Sequence, residues 1–155
     1  MNDDEKYMKL ALDCSLKAYQ IDEVPVGAII VSNGKIIAKC WNKKENYKDA
    51  TMHAELLAIK KACKKLNSWR LNNCTMYITL FPCPMCASAI VQARIKKIVI
   101  GAPTKDLKNE QIVNMIFEDS IKKNNLIITK NVLEETCSKI LKDFFKHKRL
   151  KNKWW

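Results

Sequence analysis

Two short motifs gather the residue types that do chemistry: His53-Ala54-Glu55 and Pro82-Cys83-Pro84-Met85-Cys86. A Cys-x-x-Cys pair at the start of a helix puts both sulfurs on one side of the first turn. The unpaired backbone N–H groups there stabilise thiolates. Pro82 stops a preceding strand, and Pro84 suits a first helical turn because it needs no N–H. His53 and Glu55 would diverge by about 200° inside a helix. They converge only near a helix end or in extended chain, and apolar periodicity starting near Met52 predicts such an end. One His and two Cys give zinc three protein ligands and leave a fourth position open, the pattern of a catalytic site. Two thiolates neutralise the ion, so a water on it is less acidified than on a three-histidine site. A nearby base is then useful, and Glu55 is available. A Cys-x-x-Cys alone would also serve a structural zinc or a redox pair. The redox pair needs no His-x-Glu, and the structural zinc wants a fourth Cys or His. Cys63 and Cys74 lack that pairing and read as core, with Cys14, Cys40 and Cys137.

The elements that must position these motifs follow from periodicity. Residues 3–20 show helical spacing, with acids at the N-terminal end. Val26 to Val31 is a short apolar run, Asn33-Gly34 a hairpin signal, and Lys35 to Trp41 its partner strand. Asn42 to Thr51 reads as a polar loop. A helix is predicted over 52–65, with Leu56, Leu57, Ile59, Ala62 and Cys63 inward. A buried strand follows over 75–80. Next comes a helix over 83–94, spaced through Met85, Ala89, Ile90 and Ala93. A strand over 97–101, a helix over 109–122 and a short strand over 126–129 complete the middle. A basic amphipathic helix over 131–153 ends the chain. It sets Leu133, Cys137, Ile140, Leu141, Phe144 and Phe145 on its apolar side. Alternating strands and helices imply an α/β fold, a three-layer α/β/α sandwich around one sheet of about five strands, made mixed by the opening hairpin.

The 155 residues, 48% apolar with 3 glycines, suit a single domain spanning 1–155. No apolar run approaches the roughly 20 residues that span a bilayer. The acidic start Met1-Asn2-Asp3-Asp4-Glu5 does not resemble a signal peptide, so a cytoplasmic, membrane-free protein is expected. Seven irregularly spaced cysteines point to reduced thiols or metal ligands rather than a disulfide framework. The formal charge is +12, and a general preference for Lys accounts for part of it. Its placement adds more. Lys139, Lys142, Lys146, Lys148, Arg149, Lys151 and Lys153 face a single acid, Asp143, in the last stretch of chain. Such a block is an electrostatic footprint for a polyanion.

With its His-x-Glu and Pro-Cys-x-x-Cys signature, the sequence resembles the cytidine/deoxycytidylate deaminase superfamily. Within it, the sequence is similar to the bacterial tRNA adenosine deaminases. Glu23-Val24-Pro25-Val26-Gly27-Ala28, Trp41-Asn42, Trp69-Arg70-Leu71, Tyr77-Ile78-Thr79-Leu80, Ile98-Val99-Ile100-Gly101-Ala102 and Asp143-Phe144-Phe145 carry that likeness. The resemblance implies a cytidine deaminase-like fold and a Zn²⁺ cofactor on His53, Cys83 and Cys86. It implies that Glu55 shuttles protons while a zinc-activated water attacks C6 of a flipped wobble adenosine, giving inosine. By the same likeness Asn42 contacts the base edge, and Val26, Ala28 and Pro82 line the pocket. Phe145 and Arg149 would face a tRNA anticodon stem-loop, and the protein would be a homodimer. Phe144 and Phe145 are also helical core positions. Phe81 stands where the tRNA enzymes have Glu, Ser88 where they have Gly, and the 103–109 segment lacks their glycines.

Two other functions fit the same residues. A deaminase of a free guanine, cytosine or nucleoside would use the same zinc chemistry without needing a polycationic tail. A catalytically silent RNA-binding subunit would accommodate Phe81 and the changed loop, but it has no chemical need for Glu55.

Overall fold

The computed structural model describes residues 1–152, so Lys153 and the end of the expected 131–153 helix lie outside the described residues. Helix α1 (Asp3–Gln20) starts on Asn2, whose Oδ1 accepts the Glu5 N–H at 2.8 Å, and carries Asp3, Asp4 and Glu5 in its first turn. Strands β1 (Gly27–Ser32) and β2 (Lys35–Trp41) form the expected hairpin. Its two turn residues, Asn33 and Gly34, sit at φ 50° and 73°. Two left-handed residues in succession twist the chain in the sense that the flanking strands require.

The polar segment after β2 is not all loop. It contains a short helix α2 (Lys44–Tyr47). Glu23, buried before β1, accepts the N–H groups of Glu45 and Asn46 and the Asn46 side-chain amide, and so organises that turn. Helix α3 (Ala54–Leu66), β3 (Cys74–Leu80), α4 (Pro84–Gln92), β4 (Lys97–Ala102), α5 (Leu107–Asn124), β5 (Ile127–Thr129) and α6 (Glu134–Asn152) follow.

The strand order is β2-β1-β3-β4-β5. β1 is antiparallel to β2 and β3, while β3, β4 and β5 run parallel. Helices α1 and α6 cover one face, and α3, α4 and α5 the other. This is the mixed five-stranded α/β/α arrangement. Among the described residues no helix is long and apolar enough to cross a membrane.

Three details differ from expectation. In α3 the residues buried on the sheet are Ala54, Glu55, Ala58 and Ala62, whereas Leu57, Ile59 and Cys63 pack at its margin and Leu56 is half-buried. The small side chains recur every fourth residue and let the helix axis approach β1 and β2 closely. In α4 the inward residues are Cys86, Ala87 and Ile90, and Met85 is exposed. The first turn has rotated so that Cys86, not its neighbour, faces α3. Helix α6 begins later than Asn131, because Asn131 and Leu133 take left-handed φ values of 63° and 53°.

Left-handed backbone recurs at the helix ends. Lys48, Asn67 and Asn125 terminate α2, α3 and α5 with φ of 51°, 51° and 57°, and Arg94 follows α4 at 63°. Glycine is required for a different reason at Gly101. A Cβ there would lie 2.5 Å from Cys137 Sγ, so its absence lets α6 sit against β4.

Candidate active site

Both chemical motifs lie at helix N-termini on the same face of the sheet. His53 is the extended N-cap of α3 (φ −80°, ψ 147°), and Cys83 is the extended N-cap of α4 (φ −74°, ψ 168°) with Pro84 at the first helical position. The short crossover out of β3 through Phe81 and Pro82 delivers Cys83 opposite His53. His53 Nδ1 lies 3.8 Å from Cys83 Sγ and 3.5 Å from Cys86 Sγ, and the three ligand atoms fall within 4.8 Å of one another. Zn–S near 2.3 Å and Zn–N near 2.05 Å at a tetrahedral angle put ligand N and S about 3.6 Å apart. The donor set and its spacing fit zinc.

The protonation of these groups follows from their crowding. Cys83 is driven down to about 4, first by the hydrogen bond from Cys86, with the one to His53 also lowering it against the cost of burial. Cys86 is pushed the other way by its bond to Cys83, by burial and by Glu55. His53 is raised, chiefly by its hydrogen bond with Cys83. A bound metal would take the place of the protons that His53 and Cys86 hold here.

Glu55 occupies the first turn of α3 and is 4% exposed. Its carboxyl reaches the Cys86 thiol and interacts with His53. Burial raises it to about 7, although its own backbone N–H and His53 pull it down. The divergence expected of His53 and Glu55 is removed because only Glu55 is helical.

Around this centre, Asn42 Oδ1 accepts the Ala54 N–H at 2.8 Å, and the Asn42 N–H donates to the Val26 carbonyl at 3.2 Å. Val26, Ala28 and Pro82 are buried. Phe145 and Arg149 are not gathered with the metal ligands. They line a groove of about 570 Å³ with Leu80, Ala102, Lys142 and the 103–106 loop, at the C-terminal ends of β3 and β4. Phe144 is core, edge-on to Tyr19 at 5.4 Å between ring centroids. Lys148, one of the basic block, does not face outward. It is 7% exposed and forms an ion pair with Asp22.

Glu23 and Thr79, which sequence marks only through the family likeness, hold the frame of the site. Thr79 Oγ1 accepts the Gly27 N–H at 3.1 Å and ties β1 to β3 beside the site. An acid just before the apolar β1 and a hydroxyl within the apolar β3 were the available signals. Lys44, whose charge reaches His53 from α2, is a further neighbour that no sequence pattern marks.

The family model for the cytidine and deoxycytidylate deaminase zinc-binding region matches residues 1–102. The chain belongs to that deaminase family. The tRNA-specific adenosine deaminase of Bacillus subtilis (strain 168) is 42% identical over 154 residues, covering 99% of this chain and 95% of the relative. A solved structure from work on A-to-I editing by tRNA:A34 deaminases at the wobble position superposes with a TM-score of 0.79. It is 33% identical and covers 88% of this deaminase and 99% of that chain. The guanine deaminase of Bacillus subtilis gives a TM-score of 0.64 at 35% identity, covering 79% of this deaminase and 78% of that chain. The tRNA-specific relative thus matches nearly end to end, and the guanine deaminase does not.

Proposed function

We propose that this chain hydrolyses adenosine to inosine at the wobble position of a tRNA anticodon, with zinc held by His53, Cys83 and Cys86. The observation that carries the reading is the buried Glu55 carboxyl set beside the His/Cys/Cys cluster. When bound, zinc supplies the Lewis acidity that makes water a nucleophile near neutral pH. Glu55 takes the proton from the attacking water and passes protons to the base nitrogen and to the leaving amine. The C6–N bond breaks, ammonia departs, and the carbonyl of inosine remains. A carboxyl that can hold or release a proton near neutrality is matched to both halves of that task. Asn42 orients the base edge, and Val26, Ala28 and Pro82 wall the pocket into which the base is flipped.

The substrate class is supported by the full-length likeness to the tRNA-specific relatives and by the groove lined by Phe145, Arg149 and Lys142. An exposed cation row pays for phosphate contact through counterion release, and an aromatic edge suits an unpaired base. In this reading the enzyme works as a cytoplasmic homodimer. The likeness to guanine deaminase is the observation that favours a second reading, turnover of a free base.

One experiment separates them. Zinc-loaded protein is incubated with an anticodon stem-loop carrying a wobble adenosine, and separately with guanine, cytosine and adenine. Inosine in the RNA alone is expected. Glu55→Ala should lower that rate at least about 10²–10⁴-fold while zinc content stays the same. Turnover of a free base alone, or an active Glu55→Ala protein, would refute the proposal. Zinc binding without turnover of any substrate would point to the silent RNA-binding subunit.

A further inference from the structure

Helix α3 begins on a residue that does not cap it. An N-cap side chain ordinarily accepts one of the first free backbone N–H groups of its helix. His53 holds that position, but its imidazole makes no cap bond and is turned to the two thiols at 3.8 and 3.5 Å. The N–H that follows belongs to Ala54, which is fully buried. Left alone, that donor would carry its whole desolvation cost.

Asn42, the residue after β2 and twelve positions earlier, provides the missing acceptor at 2.8 Å. A backbone N–H can only donate, so this contact fixes the amide: the oxygen faces Ala54, and only the NH₂ is left for a ligand. The Asn42 backbone is itself held by the Val26 carbonyl. A continuous strap therefore runs from Val26, just before β1, through Asn42, just past β2, to the first peptide of α3. That peptide joins His53 to Ala54, one residue before Glu55. A rotation there would turn the imidazole and shift the carboxylate at the same time.

We propose that Asn42 is a positioning residue for the 53–55 segment, standing in for the N-cap that His53 gives up, and that this role is separate from any contact with the base. The inference rests on the zinc reading above. It has a chemical corollary: with its oxygen engaged, Asn42 offers only donors, so the base edge that meets it must present a lone pair.

The test uses the full chain and metal, not turnover. Zinc affinity is measured by competition with a chromophoric chelator, and the visible spectrum of the Co(II)-substituted protein is recorded. Asn42→Asp keeps the acceptor and removes the NH₂, and Asn42→Ala removes both. Asn42→Ala is expected to weaken zinc binding about 10–100-fold, the range for outer-shell partners of metal ligands, and to shift the Co(II) bands. Asn42→Asp is expected to restore the wild-type spectrum and bring zinc affinity to within about threefold, while weakening RNA substrate binding. An Asn42→Ala protein with unchanged affinity and spectrum would overturn the proposal. So would an Asn42→Asp protein that loses zinc, whether or not the alanine variant folds. Failure of the wild-type chain to take up Co(II) would instead sink the zinc reading beneath it.

Discussion

Gly101→Ala tests whether α6 is seated on β4 by the absence of a single methyl group. The added Cβ would lie 2.5 Å from Cys137 Sγ, 3.0 Å from the Thr79 carbonyl oxygen and 3.2 Å from Cys137 Cβ. Non-bonded carbon contacts are comfortable at about 3.5–4.0 Å, so the sulfur overlap is roughly 1 Å. Overpacking of this size costs about 1–3 kcal/mol. Cys137→Ala alone removes one buried sulfur and should cost about 1 kcal/mol, near the value of a buried methylene. The double variant removes the worst overlap and keeps only the two milder contacts. It should therefore be more stable than Gly101→Ala, with a coupling of about 1–2 kcal/mol. Urea unfolding at fixed zinc concentration, with constant slope across the set, measures all three differences. Because Ala102 and Leu141 line the groove beside this contact, RNA affinity should fall in the single variant and recover in the double. A Gly101→Ala protein within about 0.5 kcal/mol of wild type, the spread of ordinary surface changes, would refute the reasoning. So would strict additivity.

Two further expectations concern charge and protonation. Lys142 and Lys146 lie exposed on α6, and Lys142 lines the groove. Replacing both with Ala should reduce the salt dependence of RNA binding by about 1–2 ion equivalents, equally for different loop sequences, while thermal unfolding stays near wild type. An unaltered slope would place the RNA elsewhere. In protein stripped of metal, Cys83 should be the first thiol alkylated at pH 6. Its lowered value of about 4 leaves it ionised there, whereas Cys14, Cys40, Cys63, Cys74, Cys86 and Cys137 are all raised above the ordinary 9 and stay protonated. Labelling should vanish as pH falls through 4 and when zinc is restored. Mass spectrometry that finds label spread over the buried cysteines would contradict this.

The parts of the fold written in local chemistry were the ones legible from sequence. Asn33-Gly34 marks its turn by backbone preference alone, and Lys35–Trp41 is the partner strand that this turn signal predicts. The placement of His53, Cys83 and Cys86 was legible because metal chemistry restricts residue type and because prolines punctuate the second motif. What local pattern could not reveal is how closely elements approach. Ala62 is buried as its spacing predicts, but the apolar stripe of α3 also names Leu56, Leu57 and Ile59, where the sheet takes Ala54 and Ala58. Leucines are drawn to a helix margin when small residues allow the axis to come near. Helix α2 is not legible locally because it is held by Glu23, from the segment before β1, rather than by its own propensity. The ion pair of Lys148 was not legible because a charge block shows composition but not its partner, and Asp22 is 126 positions away.

The left-handed positions have a consequence for the lifetime of the molecule. With only three glycines in the chain, asparagine takes four of the eight positive-φ non-glycine positions among the described residues, at 33, 67, 125 and 131. Asparagine tolerates this backbone better than other residues with a β-carbon, but its amide is among the most perishable groups in a protein. The Asn33-Gly34 peptide is chemically the most exposed to that decay, since the following glycine leaves the cyclising nitrogen unhindered. Ageing would begin at the β1–β2 hairpin and insert a β-linked residue into its turn. The strand that leaves this turn carries Asn42 to the mouth of the site. The clock that limits a stored preparation would then sit in a turn far in sequence from His53 and Glu55, and it would be read as a slow loss of metal affinity before any loss of helix content.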